Sequence, residues 1–415
     1  MFTKKMFHFE ILILIFVAVS IGLFAFSSVY DLEISNYLSQ NMQYVWVKHM
    51  VAFFDELGYQ SPFILIFILS SVFIVGWLSL LKKTQTTNKF KIFMANNSLV
   101  IYITWFSLWV IGMSTFTIVF AIQIPTRDNG FGPGNDAKLL GDSMIRMPWH
   151  LLMSVINFTI IGYTYKWAQR NLNTNSYSKD IMNIEKSSKL AAQIFFSFMI
   201  VYILKTLFGR PVYFSVIYNS HEFSGNYPTM QEIMNYLNLN GANWDSNAST
   251  SGIIYKQVDY LAWYQPNNIG KYWWRLFWPV DFTNDPNGDQ YWQQAFPSGH
   301  TNAIICGFTT VYFVENKKVR DVLATIIFIS IIGMNLNLII MRFHWATDVF
   351  FSNISSFSVW FLINYLFNKH TKMIHLSIRK NVIKQEHKLI ELENNILRYE
   401  FIDNEVVELT KRKSA

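Results

Sequence analysis

About eight stretches of this chain are apolar for long enough to matter: roughly residues 9–29, 61–81, 98–122, 149–167, 189–208, 300–314, 322–341 and 345–367. Each approaches the ~20 residues an α-helix needs to cross hydrocarbon. In hydrocarbon every backbone N–H and C=O must be bonded inside the protein, so runs of this length span as helices. The expected fold class is therefore all-α: a polytopic membrane helical bundle of about eight transmembrane helices, as the run count above predicts. A soluble enzyme is excluded by the same argument, because 52% of the residues are hydrophobic and only 15% charged.

Lys and Arg set the orientation. They gather at Lys4/Lys5, at Lys82/Lys83/Lys89/Lys91, at Lys166/Arg170/Lys179/Lys186, at Lys317/Lys318/Arg320 and in the tail, which makes those segments cytoplasmic. The alternate segments are acidic: Asp31, Glu33, Asp55 and Glu56 follow the first span, and Glu222, Glu232, Asp245, Asp259, Asp281, Asp285 and Asp289 crowd 212–296. Both termini are thus expected inside. The net charge of +7 sits where topology requires it, so no nucleic-acid partner is expected. The first span follows a Lys pair without a small-residue cleavage pattern and reads as retained. The single cysteine, Cys306, falls inside a span, which leaves no disulfide or thiolate metal site outside.

Between the spans, residues 31–60 read as an amphipathic segment on the outer surface, rimming a site. Residues 125–148, rich in Gly, Asp and Pro, read as an outer loop. The segment 212–296 carries Trp244, Trp263, Trp273, Trp274, Trp278 and Trp292, either as an interfacial aromatic belt or as a lid that recognises a bulky headgroup. From about 372, apolar residues recur every seven positions (Val382, Leu389, Ile396; Ile383, Ile390, Leu397), an amphipathic cytoplasmic helix that either pairs with another copy or lies along the inner leaflet.

Three short motifs fall at the outer ends of spans. In the third, His344 and Asp348 are four residues apart, so in a helix they share a face and the carboxylate can hold one ring nitrogen while the other stays free. In the second, Phe296-Pro297-Ser298-Gly299-His300, Pro297 suits the first turn of a helix and Gly299 lets backbone N–H groups approach an anion, with phosphate the obvious guest. The fifth span ends in Lys205-Thr206-Leu207-Phe208-Gly209-Arg210-Pro211. Lys205 there either snorkels or binds, and Arg210 is suited to a bidentate phosphate grip.

Taken together, these residues make roughly 189–367 resemble the type 2 phosphatidic acid phosphatase superfamily, lipid phosphatases and phosphotransferases that share a helical core with haloperoxidases. The family pattern is Lys, six residues and Arg-Pro; then Pro-Ser-Gly-His; then Ser-Arg, five residues, His, three residues and Asp. The second part is complete at Pro297 to His300, and the third ends completely at His344 and Asp348. Lys205, however, precedes Arg210 by five positions rather than seven, and Asn337 and Leu338 stand at the Ser-Arg positions. The nearest cation is Arg342, which either supplies the missing charge or anchors a headgroup.

The resemblance implies a metal-independent reaction without a cofactor. His344 would attack phosphorus and form a phosphohistidine, Asp348 would orient it, and His300 would act as acid and then base. Lys205, Arg210, Ser298, Gly299 and Arg342 would bind phosphate. It implies three regions: N-terminal helices (1–188), a catalytic membrane core (189–367) and a cytoplasmic tail (368–415). The expected activity is hydrolysis of a lipid phosphate monoester or pyrophosphate, on a glycolipid, polyprenyl or phosphatidate-like substrate. The expected location is a bacterial inner membrane with the site facing the periplasm and a homo-oligomer formed through the tail. Two other readings stay open: a lipid-to-lipid phosphotransferase using the same histidine, and a non-catalytic lipid-binding or scaffold protein.

Overall fold

The computed structural model describes residues 7–83, 87–124, 143–172, 177–210, 213, 262–264, 295–341 and 343–367. Of the expected loop 125–148, residues 125–142 lie outside the described residues, as do Arg342, five of the six loop tryptophans and the tail, whereas 143–148 are helical and not loop. The chain divides into two compact units, Phe2–Phe361 and a second formed by Met1 with Leu362–Ala415. The described part of the second unit, 362–367, is helical.

The described residues are helical with no strand, as the apolar runs require. In chain order they form α1 (Phe7–Ser39), α2 (Val45–Lys83), α3 (Lys89–Asn96), α4 (Ser98–Gln123), α5 (Ser143–Asn171), α6 (Tyr177–Phe208), α7 (Gly299–Gly307), α8 (Lys317–Ile340) and α9 (Ala346–Phe367). Seven of them are long and apolar enough to span a membrane. Most of the exposed large side chains on α1 and α4 are Ile, Leu, Val and Phe, a surface suited to lipid rather than water. The chain is an integral membrane protein.

The expected span 300–314 takes an unusual form. It is α7 followed by a 3-10 turn, Phe308–Phe313, together about 25 Å long at ordinary helical rises. It joins the end that holds His300 to the Lys317 end of α8. The expected outer amphipathic segment 31–60 is corrected. Residues to Ser39 continue α1, a 3-10 turn occupies Gln40–Gln43, and everything from Val45 belongs to α2. The reason is charge compensation: Asp31, Asp55 and Glu56 are buried, each against an arginine distant in sequence.

α2 is the central strut, packed along α5 and α6 and also touching α7 and α8. Near its C-terminal end Lys83 pairs with Asp180 and Lys82 donates to the Leu172 carbonyl. A core of Ile304, Ile305, Phe308, Ile331, Met334, Leu338, Val349 and Phe357 knits α7, α8 and α9 together, with Ile13 of α1 against it. α6 stops where Gly209 takes a left-handed conformation (φ 53°). Its N–H bonds the Lys205 carbonyl at 3.0 Å, a helix stop that suits Gly because it lacks Cβ. That turn directs Arg210 back toward the start of α9.

Candidate functional site

Three chain segments meet at one end of the bundle. The Ala295 N–H donates to the Arg210 carbonyl (2.9 Å), and the Ser298 N–H donates to the Asp348 carbonyl (3.3 Å). The end of the fifth expected span and the starts of the sixth and eighth are therefore tied directly to one another. Where 149–167 was expected to cross, α5 supplies a helix long and apolar enough to do so.

His344 Nδ1 lies 3.3 Å from Asp348 Oδ2. The shared helical face expected from the spacing is reached differently, because α9 begins only at Ala346 and His344 sits just outside it. The chain folds back there through N–H groups of Phe343 and His344, which donate to the Leu338 carbonyl at 3.2 and 3.1 Å. Asp348 occupies the first turn of α9, where the helix dipole favours a carboxylate. Its Oδ2 also accepts the Trp345 N–H at 2.9 Å. With that carboxylate holding the Nδ1 proton, Nε2 carries the lone pair. Burial pushes the His344 pKa down, and the hydrogen bond with Asp348 opposes that only in part.

Ser298 was expected to bind phosphate directly. Its Oγ is buried and instead accepts the Thr301 N–H at 3.3 Å, capping α7. Pro297, expected in the first turn, precedes this cap, and the Phe296–Pro297 bond is cis. The cap leaves the N–H groups of Gly299 and His300 without intrahelical acceptors, and Gly299 faces open space. The ring of His300 lies against α2: a Cβ on Gly58 would stand 2.7 Å from His300 Cδ2, and the Tyr59 ring packs edge-on at 5.8 Å. Lys205 and His344 lie within electrostatic reach of His300, and Asp348 within reach of Lys205.

Arg210 was expected to grip phosphate. The structure places its guanidinium, 1% exposed, elsewhere. Nη1 donates to Thr347 Oγ1 (2.6 Å) and Asp348 Oδ1 (2.7 Å), Nη2 donates to Asp31 Oδ2 (2.7 Å), and the group lies 4.9 Å from the centre of the Trp345 ring. Of the loop tryptophans Trp263 is described. Its Nε1 donates to Ser28 Oγ (2.8 Å) and its ring stacks on Phe296, so this one is docked on α1 beside the second motif.

Several polar residues were not singled out from sequence. Asp31 and Thr347 belong to the Arg210 cluster. A second buried network joins α2 to α5: Arg146 reaches Asp55 (2.9 Å) and Glu56 (2.7 Å), His150 Nδ1 lies 2.9 Å from Glu56 Oε2, and Asn157 Nδ2 donates to Gln60 Oε1 (2.6 Å). Tyr59 sits between this network and His300, with the Arg146 guanidinium 5.8 Å from its ring centre. Ionisable side chains inside otherwise apolar helices were the available signal.

Residues 257–372 match the family model described as the PAP2 superfamily, which bears out the resemblance carried by the second and third motifs. The first motif, around Lys205 and Arg210, lies before the matched segment. A protein of Mycoplasma capricolum subsp. capricolum (strain California kid), titled "Uncharacterized protein", is 26% identical over 401 residues. That similarity covers 91% of this chain and 97% of the relative, so it takes in the N-terminal helices as well. No solved structure matches.

Proposed function

We propose, from the PAP2-superfamily match of residues 257–372, that this chain is a membrane lipid phosphatase. It hydrolyses a phosphate monoester or pyrophosphate of a lipid through a phosphohistidine, at the outer face of the membrane, without a metal. The observation that carries the reading is the His344–Asp348 pair at 3.3 Å, with His300 and Lys205 in electrostatic reach of it.

His344 Nε2 attacks phosphorus, the N–P bond forms and the P–O bond to the lipid breaks. His300 protonates the departing oxygen, then takes a proton from the water that cleaves the N–P bond, releasing orthophosphate and neutral His344. Lys205 and the first-turn N–H groups of α7 hold the phosphoryl oxygens as charge spreads over them. Arg210 is assigned to bracing Asp348 rather than to phosphate.

Two features support a lipid substrate and an outward site. A cavity of about 460 Å³ runs between helices, lined by Leu57, next to Gly58, and by Ala303, about one turn past His300, and on to Thr310 and Phe313. Its apolar walls suit a hydrocarbon chain whose phosphate sits at His344. The Lys/Arg bias of the opposite ends supports a site on the non-cytoplasmic side.

The test is phosphate release by detergent-purified protein from a phosphatidate, a polyprenyl pyrophosphate and a glycolipid phosphate, each with excess chelator. Turnover of at least one is expected; activity abolished by chelation overturns the metal-free mechanism, and a strict need for a second lipid overturns hydrolysis in favour of transfer. The Gly58 contact adds a geometric prediction. Gly58→Ala should push the His300 ring aside and lower kcat by about 10²-fold, the scale of a 1 Å misplacement, with an unaltered thermal midpoint. An unchanged kcat in that variant would show that the ring position does not matter.

A further inference from the structure

The carboxylate behind His344 shares its arginine with a second carboxylate from the far end of the chain. Asp31 follows the break in α1 at Tyr30 (φ −116°, ψ 27°) and is 2% exposed. Its Oδ2 accepts from Arg210 Nη2 at 2.7 Å and from Thr347 Oγ1, and its Oδ1 accepts the Thr347 N–H at 3.2 Å. Thr347 Oγ1 itself receives Arg210 Nη1, so the hydroxyl proton points at Asp31. Arg210 and Thr347 thus meet the Asp31 carboxylate with donors throughout, the pattern of an ionised group. Arg210 Nη1 continues to Asp348 Oδ1, and Asp348 Oδ2 to His344.

Along the line Asp31–Arg210–Asp348–His344 there is one cation for two carboxylates, so with a neutral imidazole the buried group carries one excess negative charge. Attack on phosphorus turns the imidazole into a cation-like ring with a proton on Nδ1. Were Arg210 opposed by Asp348 alone, that developing charge would face a neutral pair. With Asp31 present it faces a net anion in a water-poor setting, where charge interactions are strong.

We propose that Asp31 is a positioning residue for His344, acting through Arg210: its charge keeps Asp348 electron-rich and stabilises the imidazolium that forms in the phosphohistidine. The first helix, outside the segment matched to the PAP2 superfamily, is on this account a working part of the site. The inference rests on the phosphohistidine reading above.

The charged and titratable groups facing His344 are few and come from every side. Asp348 faces it from its own segment, Lys205 from α6 and His300 from α7. The Ala295 backbone also bonds the ring. Arg210 and Asp31 stand behind Asp348. Removing the charge of Asp31 leaves the cationic ring less favoured against Lys205 and His300, so the His344 pKa must fall.

The test is Asp31→Asn, which keeps shape and one acceptor oxygen while removing the charge, with Asp31→Glu as the charge-preserving control. The expected result is a kcat lower by about 10- to 100-fold, the scale for partners one layer behind a reacting group, with KM changed less than about twofold. The acid limb of the kcat/KM profile, which reports neutral His344, should move to lower pH by about one unit. Asp31→Glu should restore the limb.

A structural role alone would lower activity without moving the limb, and that outcome overturns the proposal. A histidine NMR titration, with the His344 signal assigned by its loss in His344→Gln, reads the same pKa without any substrate. A lower titration in Asp31→Asn supports the electrostatic link even where no lipid is turned over, whereas an unmoved titration sinks it even where the enzyme proves active. Failure of the proposed reaction and failure of the Asp31 link are thereby distinguishable.

Discussion

Replacing His344 by alanine should abolish phosphate release, by about 10⁴-fold or more, because the proposed covalent step runs through its Nε2. The loss should fall on kcat, with binding of the lipid phosphate little changed, since in the proposed mechanism Lys205 and the first turn of α7 hold the phosphoryl group. An acid-labile, base-stable phosphoenzyme should be trapped from the unaltered protein on quenching a radiolabelled substrate with alkali. It should be absent from His344→Ala. The residue is 7% exposed and its ring bonds Asp348 and the Ala295 backbone, so a modest change in thermal midpoint is expected and is not the cause of inactivity. A variant that still forms the adduct, or still turns over within tenfold of the parent, removes His344 as nucleophile.

The second large effect is on stability. Arg210 is 1% exposed and Asp31 and Asp348 are 2% and 0% exposed, so Arg210→Ala leaves two buried carboxylates without their shared cation. Breaking a buried ion pair from one side costs about 3–5 kcal/mol, chiefly the penalty of the charge left behind. The Trp345 face loses its guanidinium as well. The midpoint of thermal unfolding in detergent should fall clearly, and activity with it. Combining Arg210→Ala with Asp31→Asn should recover part of the loss, because one of the stranded charges is gone and the two changes are coupled. A midpoint equal to that of the parent would mean that the three groups are not buried together.

Much of the site was legible from local patterns. Pro297 to His300 and His344 with Asp348 are short, contiguous signals, and hydropathy with the Lys/Arg bias placed both on one side. Some details changed in three dimensions because they depend on where a helix begins. α7 starts at Gly299 and α9 at Ala346, so Ser298 caps a helix and His344 lies ahead of one. The role expected of Arg210 changed for a different reason. A guanidinium beside Gly and Pro suits phosphate in isolation, but here Nη1 donates to Thr347 and Asp348 and Nη2 to Asp31.

The misreading of 31–60 has the same origin. Asp31, Glu33, Asp55 and Glu56 interrupt the apolar pattern, and by local composition such a segment belongs in water. Arg210 and Arg146, 179 and 90 positions away from their partners Asp31 and Glu56, make burial tolerable instead. No window of sequence contains both halves of either pair.

From sequence alone came the helical membrane character and the His344–Asp348 and Ser298–His300 signals. These rest on hydrocarbon's intolerance of unbonded backbone and on spacing within a few residues, both of which are local. Only the tertiary structure decided that α1 reaches the site, that Arg210 is shared between Asp31 and Asp348, and that Gly58 makes room for the His300 ring. Pairing of buried charges and close approach of side chain to backbone are properties of the space between helices, and that space is set by packing across the whole bundle.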